Sequence, residues 1–272
     1  MNDRSLSPVR ASTRLLARPL ASLAPLFSIA VALGLWELIT RTNVVAATQV
    51  PPMSVTTREL WSLLQTGGFW SAVEGTLHGW GIGLAIAAGL GIPIGIALGS
   101  SEFAAAAFRV PIEFLRPIPS VALIPLLLLA VGPNFKSEVF LASFAAFWPL
   151  LVQTMYGVHD ADPVALDTGR SFGLSPLERL YRITLPSAVP YIATGLRVSS
   201  SVSLILAFTA ELFMGTPGLG RAINFAQNSG LSTQVYALSL ATGFLGLALS
   251  LVFRQIERYA LRWHPSQRPA VL

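Results

Sequence analysis

Residues 77–99 read LHGWGIGLAIAAGLGIPIGIALG and contain no Asp, Glu, Lys or Arg. An α-helix over this stretch would be about 34 Å long at 1.5 Å per residue, which is enough to cross the hydrocarbon core of a bilayer. A small residue recurs at every fourth position: Gly79, Gly83, Ala87, Gly91, Gly95 and Gly99. Small residues at this spacing let helix backbones approach closely inside a membrane. The stretch therefore predicts a transmembrane helix that packs tightly against its neighbours.

The whole chain has the composition of a membrane protein. Of its 272 residues 53% are apolar and only 11% are charged, against about 25% charged in soluble domains. The absence of cysteine excludes a disulfide-stapled module and a zinc ribbon. The net charge of +5 comes from arginines spread thinly between apolar runs. No basic stripe lies beside stacking aromatics, so no nucleic acid is expected as a partner.

Six apolar stretches are long enough, or nearly so, to cross about 30 Å of hydrocarbon. They are residues 20–40, 77–99, 118–131, 138–157, 191–214 and 235–253. The third is short and interrupted by Pro125, although a short helix can span where neighbours cover it or the bilayer thins. The sequence predicts an all-α integral membrane protein with six transmembrane helices. A membrane domain over 20–263 lies between tails at 1–19 and 264–272.

The distribution of positive charge predicts the orientation. With the N-terminus inside, the cytoplasmic segments hold 13 arginines. The outer segments hold only Arg41, Arg58, Lys136 and Arg221. Because Lys and Arg concentrate in cytoplasmic loops, both termini are predicted to be cytoplasmic.

The start of the chain allows a second interpretation. An Arg-rich segment followed by apolar residues also fits a cleaved signal peptide, and residues 45–47 (VAA) resemble a cleavage site. The apolar run is nearly 20 residues long and ends in Trp36 and Glu37, as an interfacial anchor would. Its length favours a retained helix over a signal peptide.

The fifth stretch contains polar residues that are candidates for a translocation pathway. They are Arg197, Ser199, Ser203 and Glu211. Polar groups within spans usually face protein or water, and an intramembrane carboxylate is a functional candidate. The alternatives are helix packing for the two serines and solvation at the outer interface for Glu211.

No motif for catalysis, metal binding or nucleotide binding is found. The three histidines are isolated from one another, and none has a partner at metal-ligand spacing. The only lysine, Lys136, precedes Ser137 but follows Phe135 rather than glycine, so a Walker A loop is absent. No catalytic residue, metal or cofactor is predicted.

The cytoplasmic loop over 159–189 contains signals for two helices joined by a turn. Asp162 and Pro163 are typical of a helix start, and Gly173 can end that helix. Ser175 and Glu178 form a capping-box pattern around Pro176, which starts a second helix. This helix is expected to run to residue 185 and to stop before the proline that follows. Such a rigid elbow, residues 162–185, is expected to contact another protein.

The elbow also carries a family resemblance. Asp167-Thr168-Gly169 is followed after three residues by Gly173 and after nine more by Ile183-Thr184-Leu185-Pro186. This resembles the Glu-Ala-Ala loop of permeases from binding-protein-dependent ABC importers, with changes only in the triplet. Further similarities extend to the nitrate, sulfonate and taurine branch. They are Arg116-Pro117-Ile118-Pro119, Ala122-Leu123-Ile124-Pro125-Leu126, Gly132-Pro133-Asn134-Phe135-Lys136, Pro186-Ser187-Ala188-Val189-Pro190 with Gly195-Leu196-Arg197, Ala210-Glu211 with Gly218-Leu219-Gly220, and Trp263.

The resemblance implies a type I ABC importer permease in the bacterial inner membrane. It would work as a homodimer with two cytoplasmic ATP-binding subunits, which hydrolyse the ATP, and an extracytoplasmic solute-binding protein. The residues implied in ATPase coupling are Asp167, Thr168, Gly169, Arg170, Gly173, Ser175, Glu178, Ile183, Leu185 and Pro186. Arg170 and Arg179 would pair with acidic groups of the ATPase, or would simply reflect the positive-inside rule.

The solute implied by the resemblance is a small organic anion, such as a sulfonate, or nitrate or taurine. One alternative is the same machinery importing riboflavin or a thiamine pyrimidine. The other is a secondary transporter that needs no ATPase, which inverted repeats would favour. No convincing repeat relates residues 1–136 to 137–272.

Overall fold

The computed structural model describes residues 12–42 and 49–262, with the backbone alone over 12–26. The stretch 45–47, Trp263, most of the N-terminal tail and the C-terminal tail lie outside these residues. The described part is helical and contains no strand. Its helices are α1 Ser12–Arg41, α2 Met53–Leu64, α3 Gly67–Gly99, α4 Glu102–Leu115, α5 Ile124–Ala130, α6 Phe135–His159, α7 Pro163–Ser171, α8 Pro176–Arg179, α9 Leu185–Met214, α10 Leu219–Asn228 and α11 Ser232–Ala260.

Four helical stretches of the described residues are long and apolar enough to cross a membrane. They are α3, α6, the stretch Pro176–Asn228 that contains α9, and α11. A fifth span results if α4 and Ser120–Ala130, which meet at 74°, are counted as one. The chain is therefore a multi-pass membrane protein with four to five apolar spans in its described part. Helix α1 covers the first predicted stretch, residues 20–40, but is not among these spans. A total of six transmembrane helices therefore stays a prediction.

The third predicted span differs most from its expectation. Only Ser120–Ala130 of residues 118–131 is helical, and the amphipathic helix α4 precedes it. Pro125 lies in the first turn of α5. Because a first-turn N–H has no partner within the helix, proline starts this helix and does not interrupt it.

The centre of the molecule is formed by α3, α6 and α9. The row of small residues on α3 lies along the whole of α6. A Cβ on Gly95 would lie 2.9 Å from the Leu151 carbonyl oxygen, and one on Gly99 would lie 2.8 Å from that of Met155. The predicted close packing is confirmed, since neither position has room for a larger side chain.

The second helix of the elbow does not stop at Pro186, so that expectation is wrong. α8 leads into a π-helical segment, Leu180–Thr184, which continues directly into α9. The backbone N–H of Leu185 donates to the Leu180 carbonyl five residues earlier. This wider turn leaves a carbonyl without a helical partner, and a proline with no N–H can follow it without ending the helix.

Helix α11 lies at the edge of the molecule. Only Ala237, Leu238 and Ala241 of its 29 residues are fully buried. Its N-terminal end meets α1, where the rings of Trp36 and Tyr236 are 5.9 Å apart. From residue 243 onward, most residues of α11 are exposed.

Candidate functional site

The first helix of the elbow has the predicted caps. The Asp162 carboxylate accepts a hydrogen bond of 2.8 Å from the Val164 backbone N–H. At the other end, Gly173 has a φ of +75°, and its N–H donates to the Arg170 carbonyl while that of Leu174 donates to the Gly169 carbonyl. This pair of bonds is a Schellman motif, which requires the left-handed conformation that glycine adopts readily. The prediction that Gly173 ends the helix is confirmed.

The capping box that starts α8 is also present. The Ser175 backbone N–H donates to Glu178 Oε2 at 2.9 Å, and the Glu178 N–H donates back to Ser175 Oγ at 3.3 Å. The first of these bonds holds the pKa of the Glu178 carboxyl below its usual range. Four residues, 172–175, lie between α7 and α8, and hydrogen bonds fix both helical ends. The elbow is therefore a rigid unit.

Two residues of the changed triplet, Gly169 and Asp167, have defined contacts within the elbow. Gly169 is buried, and a Cβ there would lie 2.8 Å from Ile183 Cδ1 and 3.4 Å from Arg179 Cγ. Glycine in place of the family's alanine thus lets the two parts of the elbow approach more closely. Asp167 forms an exposed ion pair of 2.9 Å with Arg170. Arg170 therefore already has an acidic partner within the loop.

The elbow exposes large apolar side chains that sequence reasoning missed. The exposed fractions are 71% for Val164, 82% for Phe172, 62% for Leu177 and 63% for Tyr181. The family motif pointed to residues such as Asp167, Gly173 and Ser175. These residues determine the conformation of the elbow, but they are not its exposed apolar side chains. A signal was present, because Phe172 and Tyr181 are aromatic residues in a loop that the arginine distribution predicts to be cytoplasmic. Exposed apolar side chains on a rigid loop are typical of a protein interface.

The two candidate serines of the fifth stretch, Ser199 and Ser203, form hydrogen bonds with neighbouring helices. Ser199 Oγ donates to the Ala146 carbonyl of α6 at 2.7 Å, and Ser203 Oγ donates to the Trp80 carbonyl of α3 at 3.0 Å. Trp80 Nε1 returns a bond of 3.0 Å to the Ser200 carbonyl. Both serines are fully buried. Helix packing, the alternative to a pathway role, accounts for both hydroxyls.

Arg197 faces a different neighbour from these serines. Its guanidinium lies 3.4 Å from the Glu257 carboxylate of α11. The structure therefore brings Ser199 and Ser203 together in the core of the subunit and directs Arg197 to the peripheral helix.

Glu211 ties the turn at residues 215–220 to α3. Its Oε2 accepts from Thr76 Oγ1 at 3.0 Å and from the Gly220 N–H at 2.8 Å. The side chain is fully buried, so solvation at the outer interface is wrong. A Cβ on Gly218 would lie 2.1 Å from the Glu211 carboxyl carbon. The glycine-rich turn folds over the carboxylate and shields it from solvent.

A second buried glutamate, Glu138, was not predicted. It belongs to α6, and a Cβ on Gly79, one turn from Thr76 on α3, would lie 1.8 Å from its Oε1. No well-formed hydrogen bond reaches its oxygens or the Thr216 hydroxyl among the described residues, although these two buried groups face each other. A glutamate in the first turn of an apolar helix was the available sequence signal, but it also suits a solvated helix start. In the described residues no three His, Asp or Glu side chains come together as metal ligands.

Comparison with known proteins identifies the family. The model described as the binding-protein-dependent transport system inner membrane component matches residues 91–262. A bicarbonate transport system permease of Synechococcus elongatus is 30% identical over 88% of this chain and 90% of its own length. A taurine transport system permease of Escherichia coli is 29% identical, covering 87% and 88% of the two chains. An aliphatic sulfonates transport permease of Bacillus subtilis is 26% identical, covering 87% and 86%.

Solved structures share the fold. An amino acid ABC transporter chain matches with a TM-score of 0.60 and 18% identity, over 75% of this chain and 97% of its own. A chain of a bacterial ABC transporter that imports alginate matches with a TM-score of 0.59 and 16% identity, over 90% and 98%. The chain belongs to the inner membrane components of binding-protein-dependent transport systems and is an ABC importer permease of the nitrate, sulfonate and taurine branch.

Proposed function

We propose that this chain forms the membrane pathway of an importer for a small anion, works as a homodimer, and is driven by two copies of a separate cytoplasmic ATPase. An extracytoplasmic solute-binding protein delivers the solute. The observation that supports this proposal best is the exposed apolar surface of the elbow. We call Val164, Phe172, Leu177 and Tyr181 the elbow face.

The elbow face has the properties of a docking surface. Its four side chains are exposed and precede the predicted span 191–214, in a loop where water makes their exposure unfavourable. The caps at Asp162 and Ser175 hold the loop in one conformation, so little conformational entropy is lost when a partner binds. The π-helical segment joins this loop directly to α9. A movement of the docked ATPase would therefore be transmitted to a helix of the core.

The solute class rests on the relatives. Their names specify aliphatic sulfonates, taurine, nitrate and bicarbonate, all small and all bearing an anionic group. We assign the same class to this chain. The topology that fits the arginine distribution has six spans with both termini in the cytoplasm of a bacterial cell.

The first test replaces Phe172 by Ala on the elbow face. Phe225 on α10 is 70% exposed and follows the last core span on the outer side of the proposed topology, so Phe225→Ala is the matched control. We expect Phe172→Ala to reduce co-purification of the ATPase about tenfold or more, since aromatic anchors dominate interface energies. The control should retain wild-type ATPase binding. Equal retention in both variants would show that the elbow face is not a docking surface.

Transport in vesicles tests the energy source. Vesicles with the complete importer should take up a small sulfonate or taurine only when ATP reaches the ATPase. Uptake by this chain alone under an ion gradient would contradict the proposal and favour a secondary transporter.

A further inference from the structure

A cluster of arginines lies at the end of the apolar surface of α11. Phe244, Leu247 and Leu251 are exposed and follow one another at intervals of three and four residues, so they form one stripe along the helix. Arg254 and Arg258 continue the same stripe and are also exposed. These two arginines lie on the exposed side of a long apolar helix, whereas the elbow arginines belong to a loop.

The length of α11 places these arginines at the surface of the hydrocarbon. Residues 232–253 contain no Asp, Glu, Lys or Arg. As a helix they cover about 33 Å, close to the thickness of the hydrocarbon core. Arg254 is the first charged residue beyond this apolar length. Its guanidinium is therefore at the depth of the lipid phosphates.

The charges around this point are unbalanced. Arg197 pairs with Glu257, whose side chain is 14% exposed. Arg254 and Arg258 form no ion pair within the residues that the structure describes. These four side chains line an open cavity of about 270 Å³ with a net charge of +2. The next turn adds Arg262, whose guanidinium lies 4.1 Å from the centre of the Tyr259 ring.

We propose that this cavity, formed by Arg197, Arg254, Glu257 and Arg258, binds the phosphate of an anionic phospholipid headgroup. Two unpaired guanidinium groups offer several N–H donors to phosphate oxygens, and basic pockets between transmembrane helices are suited to anionic headgroups. The stripe of Phe244, Leu247 and Leu251 packs against the acyl chains of the same lipid. This continuity of apolar and basic surface assigns the cavity to a lipid, because a free phosphate would not use the stripe.

The test measures lipid binding by the full-length chain in a neutral detergent. The chain is titrated with phosphatidylglycerol, or with phosphatidylcholine of the same acyl chains, while its thermal unfolding is followed. We expect a saturable rise in Tm with phosphatidylglycerol and a smaller, non-saturating one with phosphatidylcholine. Inorganic phosphate alone should leave Tm unchanged.

Matched variants assign the effect to the cavity. Arg254→Gln with Arg258→Gln should raise the half-saturating phosphatidylglycerol concentration about tenfold or more, since each basic residue near the membrane surface contributes to anionic lipid binding. Arg58→Gln with Arg221→Gln removes the same charge from exposed positions on α2 and α10 and should change nothing. Arg254→Lys with Arg258→Lys should stay close to wild type. The single variant Arg258→Gln replaces the double variant if the latter fails to fold.

Several results would overturn the proposal. They are an equal response to the two lipids, undiminished binding in the glutamine variants, and a full Tm rise with inorganic phosphate alone. Loss of ATPase co-purification in the glutamine variants with lipid binding intact would instead identify the cluster as a protein contact.

Discussion

At the scale of single residues, glycines decide how closely the helices of the core approach. A Cβ added to Gly95 on α3 would lie 2.7 Å from Thr154 Cβ and 2.9 Å from the Leu151 carbonyl oxygen. A carbonyl oxygen moves only with its helix, so an added methyl group would have to push α6 away from α3. Gly89, on the same helix, is exposed and has no atom within 4 Å of that position.

These two glycines give a matched pair of variants. We expect Gly95→Ala to lower the free energy of unfolding by about 1–3 kcal/mol, as overpacking of a tight core does. Gly89→Ala should be neutral or should stabilise by up to about 1 kcal/mol, because alanine is the better helix former. Thermal unfolding of the two purified variants makes the comparison. If Gly95→Ala were as stable as Gly89→Ala, the close approach of α3 and α6 would be wrong.

The contacts of single residues could be predicted where small residues recur at a fixed spacing, and could not be predicted for isolated polar residues. The glycine row predicted close packing, and packing was one of the two interpretations of Ser199 and Ser203. Nothing in the sequence showed that Glu211 would reach Thr76 and Gly220, because these residues come from separate segments. Glu138 was missed for the same reason, since a glutamate near a helix start is usually solvated.

At the scale of elements, the elbow depends on one left-handed residue. Gly173 has a φ of +75°, and no atom lies within 4 Å of the position of an added Cβ. Any effect of a side chain there arises from backbone strain and not from a clash.

Gly173→Val should therefore weaken the coupling of the ATPase without disturbing the membrane core. A β-branched residue in the left-handed conformation costs about 1–2 kcal/mol or more, and the elbow relieves this cost by bending differently. Gly173→Asn is the control, since asparagine tolerates this conformation. Membrane levels should stay normal in both, while ATPase co-purification and transport should fall only in the valine variant. Wild-type coupling by Gly173→Val would mean that the geometry of the turn is unimportant.

Local signals predicted the start of each elbow helix and failed at Pro186. Caps act through residues that are neighbours in the chain, so Asp162, Ser175 and Glu178 could be assigned from the sequence. Proline normally ends a helix, but the five-residue π-helical segment before it changes the hydrogen-bond pattern. The residues of this segment, Leu180–Thr184, include no Gly, Pro, Ser, Asp or Asn that would predict the wider turn.

At the scale of the whole molecule, the number of spans depends on the bent region formed by α4 and Ser120–Ala130. Counted together they form one crossing with a bend of 74°. The proposed topology requires that crossing, because only then does residue 136, at the start of α6, lie outside.

The absence of cysteine makes single-cysteine labelling a direct test of topology. Thr57→Cys, Lys136→Cys and Asn228→Cys should react with a membrane-impermeant maleimide applied from outside, and Val164→Cys should react only after permeabilisation. All four positions are exposed. Lys136 suits this test better than the neighbouring Asn134, because the Asn134 side chain caps α6. If Lys136→Cys needed permeabilisation, the bent region would not cross the membrane and the count of six would be wrong.

The sequence alone determined the class of the protein, the spans with long uninterrupted apolar runs, the caps of the elbow and the permease family. These properties depend on composition, on periodicity and on neighbours within a few residues. Only the tertiary structure decided that Glu211 and Glu138 are buried, that Arg197 pairs with Glu257, and that the elbow presents Phe172 and Tyr181. Each of these depends on which distant segments meet, and long apolar helices can pack in many ways with the same hydropathy. The physical reason is that hydrophobic burial is non-directional, whereas the contacts of a polar side chain are specific to one arrangement.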